Sequence, residues 1–100
     1  MKALFVCSYN HDRSKTAEEI FKGSFEVRSA GLFNNPVSEE QILWADIIFV
    51  MEEFQVSEIK RRFPKTSKRI VCLDISDEFS YMQPELISLL KIRLKEFLHS

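Results

Sequence analysis

Four short strand-like runs alternate with segments of helical spacing, and that alternation limits the possible folds more than any other feature of the chain. "KALFVC" (2–7) is a near-continuous apolar run, as expected of a central strand covered on both faces. "SKTAEEIFKG" (14–23) sets Ala17, Ile20 and Phe21 at helical spacing, with Glu18 and Glu19 early and Gly23 as a natural stop. "FEVRSA" (25–30) alternates and predicts a second strand. "LFNNP" (32–36) predicts a loop. Ser38 then caps a short helix over "EEQILWA" (39–45), with Glu40 and Gln41 near the capping-box position. "DIIFVM" (46–51) predicts the third strand, and "EFQVSEIKRRF" (53–63) a helix that Pro64 follows. "RIVCLDI" (69–75) predicts the fourth strand, and "SDEFSYMQ" (76–83) a polar and aromatic loop. Pro84 suits the first turn of a last helix, whose apolar stripe is Leu86, Leu90, Leu94 and Phe97.

The order βαβαβαβα with short connections predicts an α/β fold, a parallel sheet with helices on both faces in three layers. One domain over residues 1–100 is expected, with a core drawn from a 45% apolar composition that includes nine Phe. A formal net charge of -1 argues against a nucleic-acid or anionic-membrane partner. The basic run "KRRFPKTSKR" (60–69) is the exception to that balance and reads as a solvated helix end and loop, with an interaction patch as the alternative. No apolar run approaches the ~20 residues that span a bilayer, and "MKALFVCS" is too quickly polar for a signal peptide. The expectation is a cytoplasmic protein with reduced thiols. Cys7 and Cys72, with two His, match no common zinc spacing, so neither a metal nor a cofactor is expected.

Chemistry concentrates in "VCSYNHDRS" (6–14), the connection between the first strand and the first helix. Ligands of parallel α/β sheets bind at the carboxyl ends of strands. A strand-to-helix loop presents unpaired N–H groups that, with the helix dipole, form an anion nest. Here the nest is formed by Ser8, Tyr9, Asn10, His11, Asp12, Arg13 and Ser14. Arg13 adds a planar fork able to grip two oxyanion oxygens. The chain has only two glycines and neither Gly-rich nucleotide fingerprint, so the nest suits one small oxyanion: phosphate, sulfate or vanadate. Asn10 is able to take the left-handed conformation that a tight loop needs. Cys7 lies at the base of the nest, where positive potential favours the thiolate, and Ser14 is able to donate a hydrogen bond to its sulfur. A thiolate beneath a bound phosphoryl group is a nucleophile aimed at phosphorus. The Asp77 loop also leaves the carboxyl end of a strand.

"VCSYNHDRSKTAEEIF" resembles the opening of the low-molecular-weight protein tyrosine phosphatases, V-C-x-x-N-x-x-R-S-x-x-A-E-x-x-F, in Cys7, Asn10, Arg13, Ser14, Ala17, Glu18 and Phe21. "RSAG" (28–31) and "DIIFVME" (46–52) resemble later segments of the same family, so the likeness covers nearly the whole chain. It implies a four-stranded sheet of order 2-1-3-4 and a metal-free, two-step hydrolysis of a phosphotyrosine protein or small aryl phosphate. Cys7 forms a phosphocysteine, Arg13 and the loop N–H groups hold the oxygens, and an Asp protonates the leaving group. Asn10, Ser14 and Ser29 match positions that brace the loop.

The family's acid sits in an Asp-Pro-aromatic segment after the fourth strand. Asp77, followed by Glu78 and Phe79, is the nearest match; the Pro is missing, and Asp74 competes. Phe79 and Tyr81 are candidates for one wall of a substrate cleft, with Phe33 opposite. Asp12 beside an anion site is expected to point outward, and Tyr9 to narrow the entrance. His11 either faces solvent or touches substrate. Cys72 is expected to be buried and inert. Two other functions share these features. One is a phosphate or phosphopeptide-binding module whose acid has decayed. The other is an arsenate reductase of the thiol-cascade type, which needs two further cysteines close together where this chain has only Cys72 outside the loop.

Overall fold

The computed structural model describes residues 1–99. Its elements are β1 (Lys2–Cys7), α1 (Arg13–Phe21), β2 (Glu26–Gly31), α2 (Glu39–Trp44), β3 (Ile47–Val50), α3 (Glu53–Arg62), β4 (Arg69–Cys72) and α4 (Pro84–Leu98). The sheet has the order β2-β1-β3-β4, and every neighbouring pair is parallel. This is the α/β alternation and the 2-1-3-4 order expected from the sequence.

The period of two along β1 explains why the molecule has two apolar layers. Ala3, Phe5 and Cys7 point to one face, where they pack with Ala17 and Phe21 of α1 and Leu86, Leu90 and Leu94 of α4. Leu4 and Val6 point to the other, against Ile42 of α2 and Ile59 of α3. Phe5 stacks between Phe21 and Phe49, with ring centroids 5.7 and 5.1 Å away. Such pairs add roughly 0.5–1.5 kcal/mol beyond the burial of their area. Truncating Phe5 to Ala would therefore remove the centre of the larger cluster at a cost of about 3–5 kcal/mol.

Local signals set the ends of the elements. Ser38 Oγ accepts from the Gln41 N–H, and Gln41 Oε1 accepts from the Ser38 N–H, so the capping box closes on Gln41. Pro84 occupies the first turn of α4. β4 ends at Cys72, three residues before the end of the apolar run, because Asp74 turns the backbone left-handed (φ 55°). The ladder still reaches across that turn: Leu73 donates to Val50 and Ile75 to Met51, both at 2.8 Å. The chain beyond β4 is thus carried alongside the end of β3 and towards the end of β1. Among the described residues no helix is long and apolar enough to cross a membrane.

Candidate active site

Cys7 is the last residue of β1, and its parity turns the sulfur into the α1 face at the carboxyl edge of the sheet. The next five residues bend sharply before α1 begins at Arg13. Asn10 takes φ 52°, the left-handed turn that Asn tolerates without glycine. Asp12 stands at the start of α1 but makes no side-chain cap, so the first N–H groups of the helix keep no intrahelical partner and open towards the loop. Cys7, Tyr9, His11, Asp12, Arg13 and Asp77 line one cleft of about 350 Å³.

Hydrogen bonds fix the floor of this cleft. Cys7 Sγ lies 3.0 Å from Ser14 Oγ, and Asn10 Nδ2 donates to the same Ser14 oxygen at 2.8 Å. Ser8 Oγ accepts from Gln55 Nε2 at 3.2 Å. Gln55 is fully buried, and its Oε1 also accepts the N–H groups of Met51 and Glu52. The loop is therefore tied to the end of β3 through one side chain. The pattern Glu52-x-x-Gln55 ahead of a helical segment was the available sign of that role.

Arg13 is 1% exposed and almost wholly paired. Its NH1 donates to the Ile75 carbonyl at 2.7 Å and lies 3.0 Å from Glu52 Oε2, while NH2 lies 3.6 Å from Asp77 Oδ1. A buried guanidinium needs such partners to offset its desolvation. They also set its plane, leaving the edge nearer Asp77 directed into the cleft. Glu52 was not singled out in the sequence; an acidic residue immediately after an apolar strand in this fold points at the strand-end site and was the signal.

The residues proposed as acid separate clearly. Asp77 borders the Cys7 cleft and approaches Arg13. Asp74 faces away, into a different depression formed with Val71, Arg93 and Phe97. The aromatic candidates also divide. Phe33 stacks on Tyr9 (centroids 5.7 Å), and both rings are 56% exposed beside the cleft. Phe79 instead packs against the α1/α4 core and lines a groove with Pro84 and Leu89, and Tyr81 lies towards Lys22. Of the aromatic residues Tyr9 alone lines the cleft, with Phe33 stacked on its ring, because the 76–83 segment folds back over α4 and is pinned where the Met82 N–H donates to Thr16 Oγ1.

Asp12 does not turn fully outward: its carboxylate accepts from or pairs with His11 Nδ1 at 3.0 Å and stays on the rim. Ser29 donates to Glu18 at 2.8 Å, so it ties β2 to α1 and does not touch the loop itself. The direct brace comes from the 32–36 segment. Asn35 Nδ2 donates to Asn10 Oδ1 at 2.6 Å and Asn34 Nδ2 to the Tyr9 carbonyl at 3.2 Å. Leu32 and Phe33 donate to the Ser8 carbonyl at 2.9 and 2.8 Å. Gly31 allows this approach: a Cβ there would lie 2.2 Å from the Asn34 carbonyl oxygen and 2.9 Å from the Asn10 nitrogen. Cys72 is partly buried and unpaired with Cys7; burial pushes its thiol above the ordinary value of 9.0.

This arrangement is the fold of the low-molecular-weight protein tyrosine phosphatases. The chain superposes on the YwlE arginine phosphatase of Geobacillus stearothermophilus with a TM-score of 0.78 at 24% identity, covering 98% of this chain and 92% of that one. A YwlE mutant with its cysteine replaced by serine and a phosphorylated active-site serine gives 0.77 at 22%, covering 100% and 97%. The low-molecular-weight protein tyrosine phosphatase of T. tengcongensis gives 0.78 at 21%, covering 97% and 99%. No family model and no curated protein matches the chain by sequence.

Proposed function

We propose that this protein is a cysteine-dependent phosphomonoesterase, with protein tyrosine phosphatase as its leading activity. One observation carries the reading: Cys7 Sγ lies within hydrogen-bond reach of Ser14 at the floor of a cleft that Arg13 and Asp77 also line. In the first step the sulfur lone pair forms an S–P bond as the bond from phosphorus to the leaving oxygen breaks. Asp77 gives its proton to that oxygen. Arg13 and the N–H groups of the loop hold the three non-bridging oxygens as charge redistributes. In the second step Asp77, now a carboxylate, takes a proton from water. The water oxygen bonds to phosphorus, the P–S bond breaks, and Ser14 donates to the departing thiolate. None of these steps draws on a metal or a cofactor.

Tyr9 and Phe33 support an aryl leaving group, since an offset ring beside them keeps the phosphorus above Cys7. The substrate is accordingly a phosphotyrosine protein or a small aryl phosphate, and inorganic phosphate, sulfate or vanadate occupies the same loop. A nucleophilic thiol of this kind works in the reducing cytoplasm. The test is turnover of para-nitrophenyl phosphate and of a phosphotyrosine peptide with EDTA present. Turnover that vanadate inhibits and Cys7→Ser abolishes is expected. Phosphate binding without any turnover of either substrate would overturn the enzyme reading in favour of a binding module. The fold neighbours include an arginine phosphatase, so phosphoarginine belongs in the same assay; a strong preference for it would reassign the leaving group but leave the roles of Cys7 and Arg13 intact.

A further inference from the structure

Asn35 lies on the 32–36 segment, remote from the nucleophile in sequence, yet it begins a hydrogen-bond chain that ends on the sulfur. Asn35 Nδ2 donates to Asn10 Oδ1 at 2.6 Å, Asn10 Nδ2 donates to Ser14 Oγ at 2.8 Å, and Ser14 Oγ lies 3.0 Å from Cys7 Sγ. An amide has one oxygen and one NH₂ group, so the partner at one end decides which atom faces the other. With Asn10 Oδ1 held by Asn35, the NH₂ group must face Ser14. The Ser14 oxygen then accepts, and its single proton goes to Cys7 Sγ. If Asn10 were reversed, Ser14 would donate to Asn10 Oδ1, and the sulfur would lose its donor. We infer that Asn35 is a positioning residue that sets the direction of this relay and thereby commits the Ser14 hydroxyl as a hydrogen-bond donor to Cys7 Sγ.

Several features make Asn35 suited to the task. Its backbone is left-handed (φ 49°), and its carbonyl accepts from the Gly31 N–H at 2.9 Å, so its side chain is presented from a fixed turn. Gly31 is the residue that lets this turn approach Asn10. A hydrogen bond to a charged sulfur is stronger than one between neutral groups, so a donor committed to Cys7 favours the thiolate. The inference rests on the nucleophilic role given to Cys7 above, but it is read out on the free protein without substrate.

Asn35→Asp tests it. Aspartate has nearly the same shape and tolerates a left-handed backbone, but its carboxylate only accepts. Asn10 must turn its NH₂ group towards it, Ser14 must donate to Asn10 Oδ1, and Cys7 is left without a donor. The ultraviolet absorbance of the thiolate should fall, and alkylation of Cys7 by iodoacetamide should slow roughly tenfold at neutral pH. Cys72 serves as the internal reference and should be unaffected. The new negative charge is separated from the relay by repeating the exchange in a Ser14→Ala background, where no relay exists. The groups facing Cys7 (Arg13, Asp77, Asp12 and His11) are the same in all four proteins. Little or no further slowing in that background supports the relay. The same slowing there, or none in the otherwise native protein, overturns it. Should Asn35→Asp lose native circular dichroism, Asn35→Ala is measured the same way. It removes the donor without adding a charge, and unchanged alkylation of Cys7 would sink the proposal. Turnover of aryl phosphates, measured separately, tests the phosphatase reading and is not needed for either outcome.

Discussion

Cys7 and Asp77 face each other across one cleft, but the chain holds them in contrasting ways. The Cys7 loop is bounded by buried Arg13, Ser14 and Gln55 and receives hydrogen bonds from Gln55 of α3 and from the 32–36 segment. Asp77 sits 60% exposed on the connection between β4 and α4, between the Ile75 ties to Met51 and Arg13 on one side and the Met82 bond to Thr16 on the other. The contrast matches what the proposed reaction asks of each side. Holding oxyanions demands donors that are already in place, because reorienting them during reaction would cost part of the stabilisation they provide. A proton donor has to meet leaving groups of different size, and one hydrogen bond at the right moment suffices. The loop is therefore the preorganised half and the Asp77 segment the adaptable half.

Substitutions on the rigid half should have the largest effects. Cys7→Ser should lower kcat by more than about 10⁴-fold while phosphate still binds, because the nest survives the loss of its nucleophile. Isothermal titration with phosphate, run beside the assay, checks both parts; lost phosphate binding would show that the sulfur also maintains the loop. Arg13→Lys comes next, with a loss of roughly 10²–10³-fold in kcat/KM. A lysine cannot satisfy the Ile75 carbonyl and Glu52 and still present a planar edge to the oxyanion. Near-native turnover would mean that a point charge is enough and that the guanidinium plane is not used.

On the adaptable half, Asp77→Asn should reduce kcat for phenyl phosphates by roughly 10²-fold, at the low end for proton transfer. The loss should shrink for leaving groups that need no proton. Asp74→Asn should stay near the native rate, since Asp74 faces a separate depression. Measuring both variants over a series of phenols decides the point: a reversed ranking would move the acid to Asp74 and undo the comparison between the two halves.

The same contrast explains which parts were legible in the sequence. The fold and the loop were, because apolar periodicity and the run from Cys7 to Ser14 are local in the chain. The cleft wall was not. Phe79 and Tyr81 were expected there from their nearness to Asp77 in sequence, whereas the Met82 contact with Thr16 draws that segment towards α1 and α4. Tyr9 and Phe33 meet only because β1 and β2 end side by side, a consequence of the parallel register that pairs Cys7 with Gly31. Glu52 and Gln55 left only a faint local sign, the acidic residue after a strand and the Glu-x-x-Gln spacing, while Asn35 acts across a chain separation that no local pattern encodes. Ser29 was matched to a loop brace, but its hydroxyl goes to Glu18, one layer behind the loop.

Gly31→Ala probes the rigid half without touching a group that meets substrate. The added methyl collides with the Asn34 carbonyl and the Asn10 nitrogen, both backbone atoms, so the two segments must part. Overpacking of this kind costs about 1–3 kcal/mol, and each kcal/mol lowers the melting temperature of a protein of this size by roughly 4–8 °C. Activity should fall as well, because Asn35 moves away from Asn10. A native melting temperature with reduced activity would place the strain wholly in the loop; no change in either would show that the 32–36 segment does not brace it.

The smallest effect is expected where the rigid half reaches the surface. Glu58 accepts from Arg61 and Arg62, at 2.6 Å to one nitrogen of each, and Arg62 passes the tie inward by donating to the Leu32 carbonyl at 2.7 Å. Those two guanidinium groups, Arg61 first, lower the Glu58 carboxyl from 4.5 to about 2. A carboxylate with a depressed folded-state pKa stabilises the native form fully above its unfolded value, and the gain disappears as pH falls through the folded value. The contribution of Glu58 is thus present above pH 4.5 and fades towards about pH 2. Exposed pairs of this kind are screened by water and salt, so the gain is small. Glu58→Gln should therefore lower the melting temperature slightly near neutral pH, less in high salt, and not at all near the acid limit. Turnover should be almost unchanged, because Arg62 supports the Phe33 side of the cleft from behind and the Asn35 tie remains. A drop in kcat as large as that of Gly31→Ala would mean that the brace depends on α3 as much as on the close approach at Gly31.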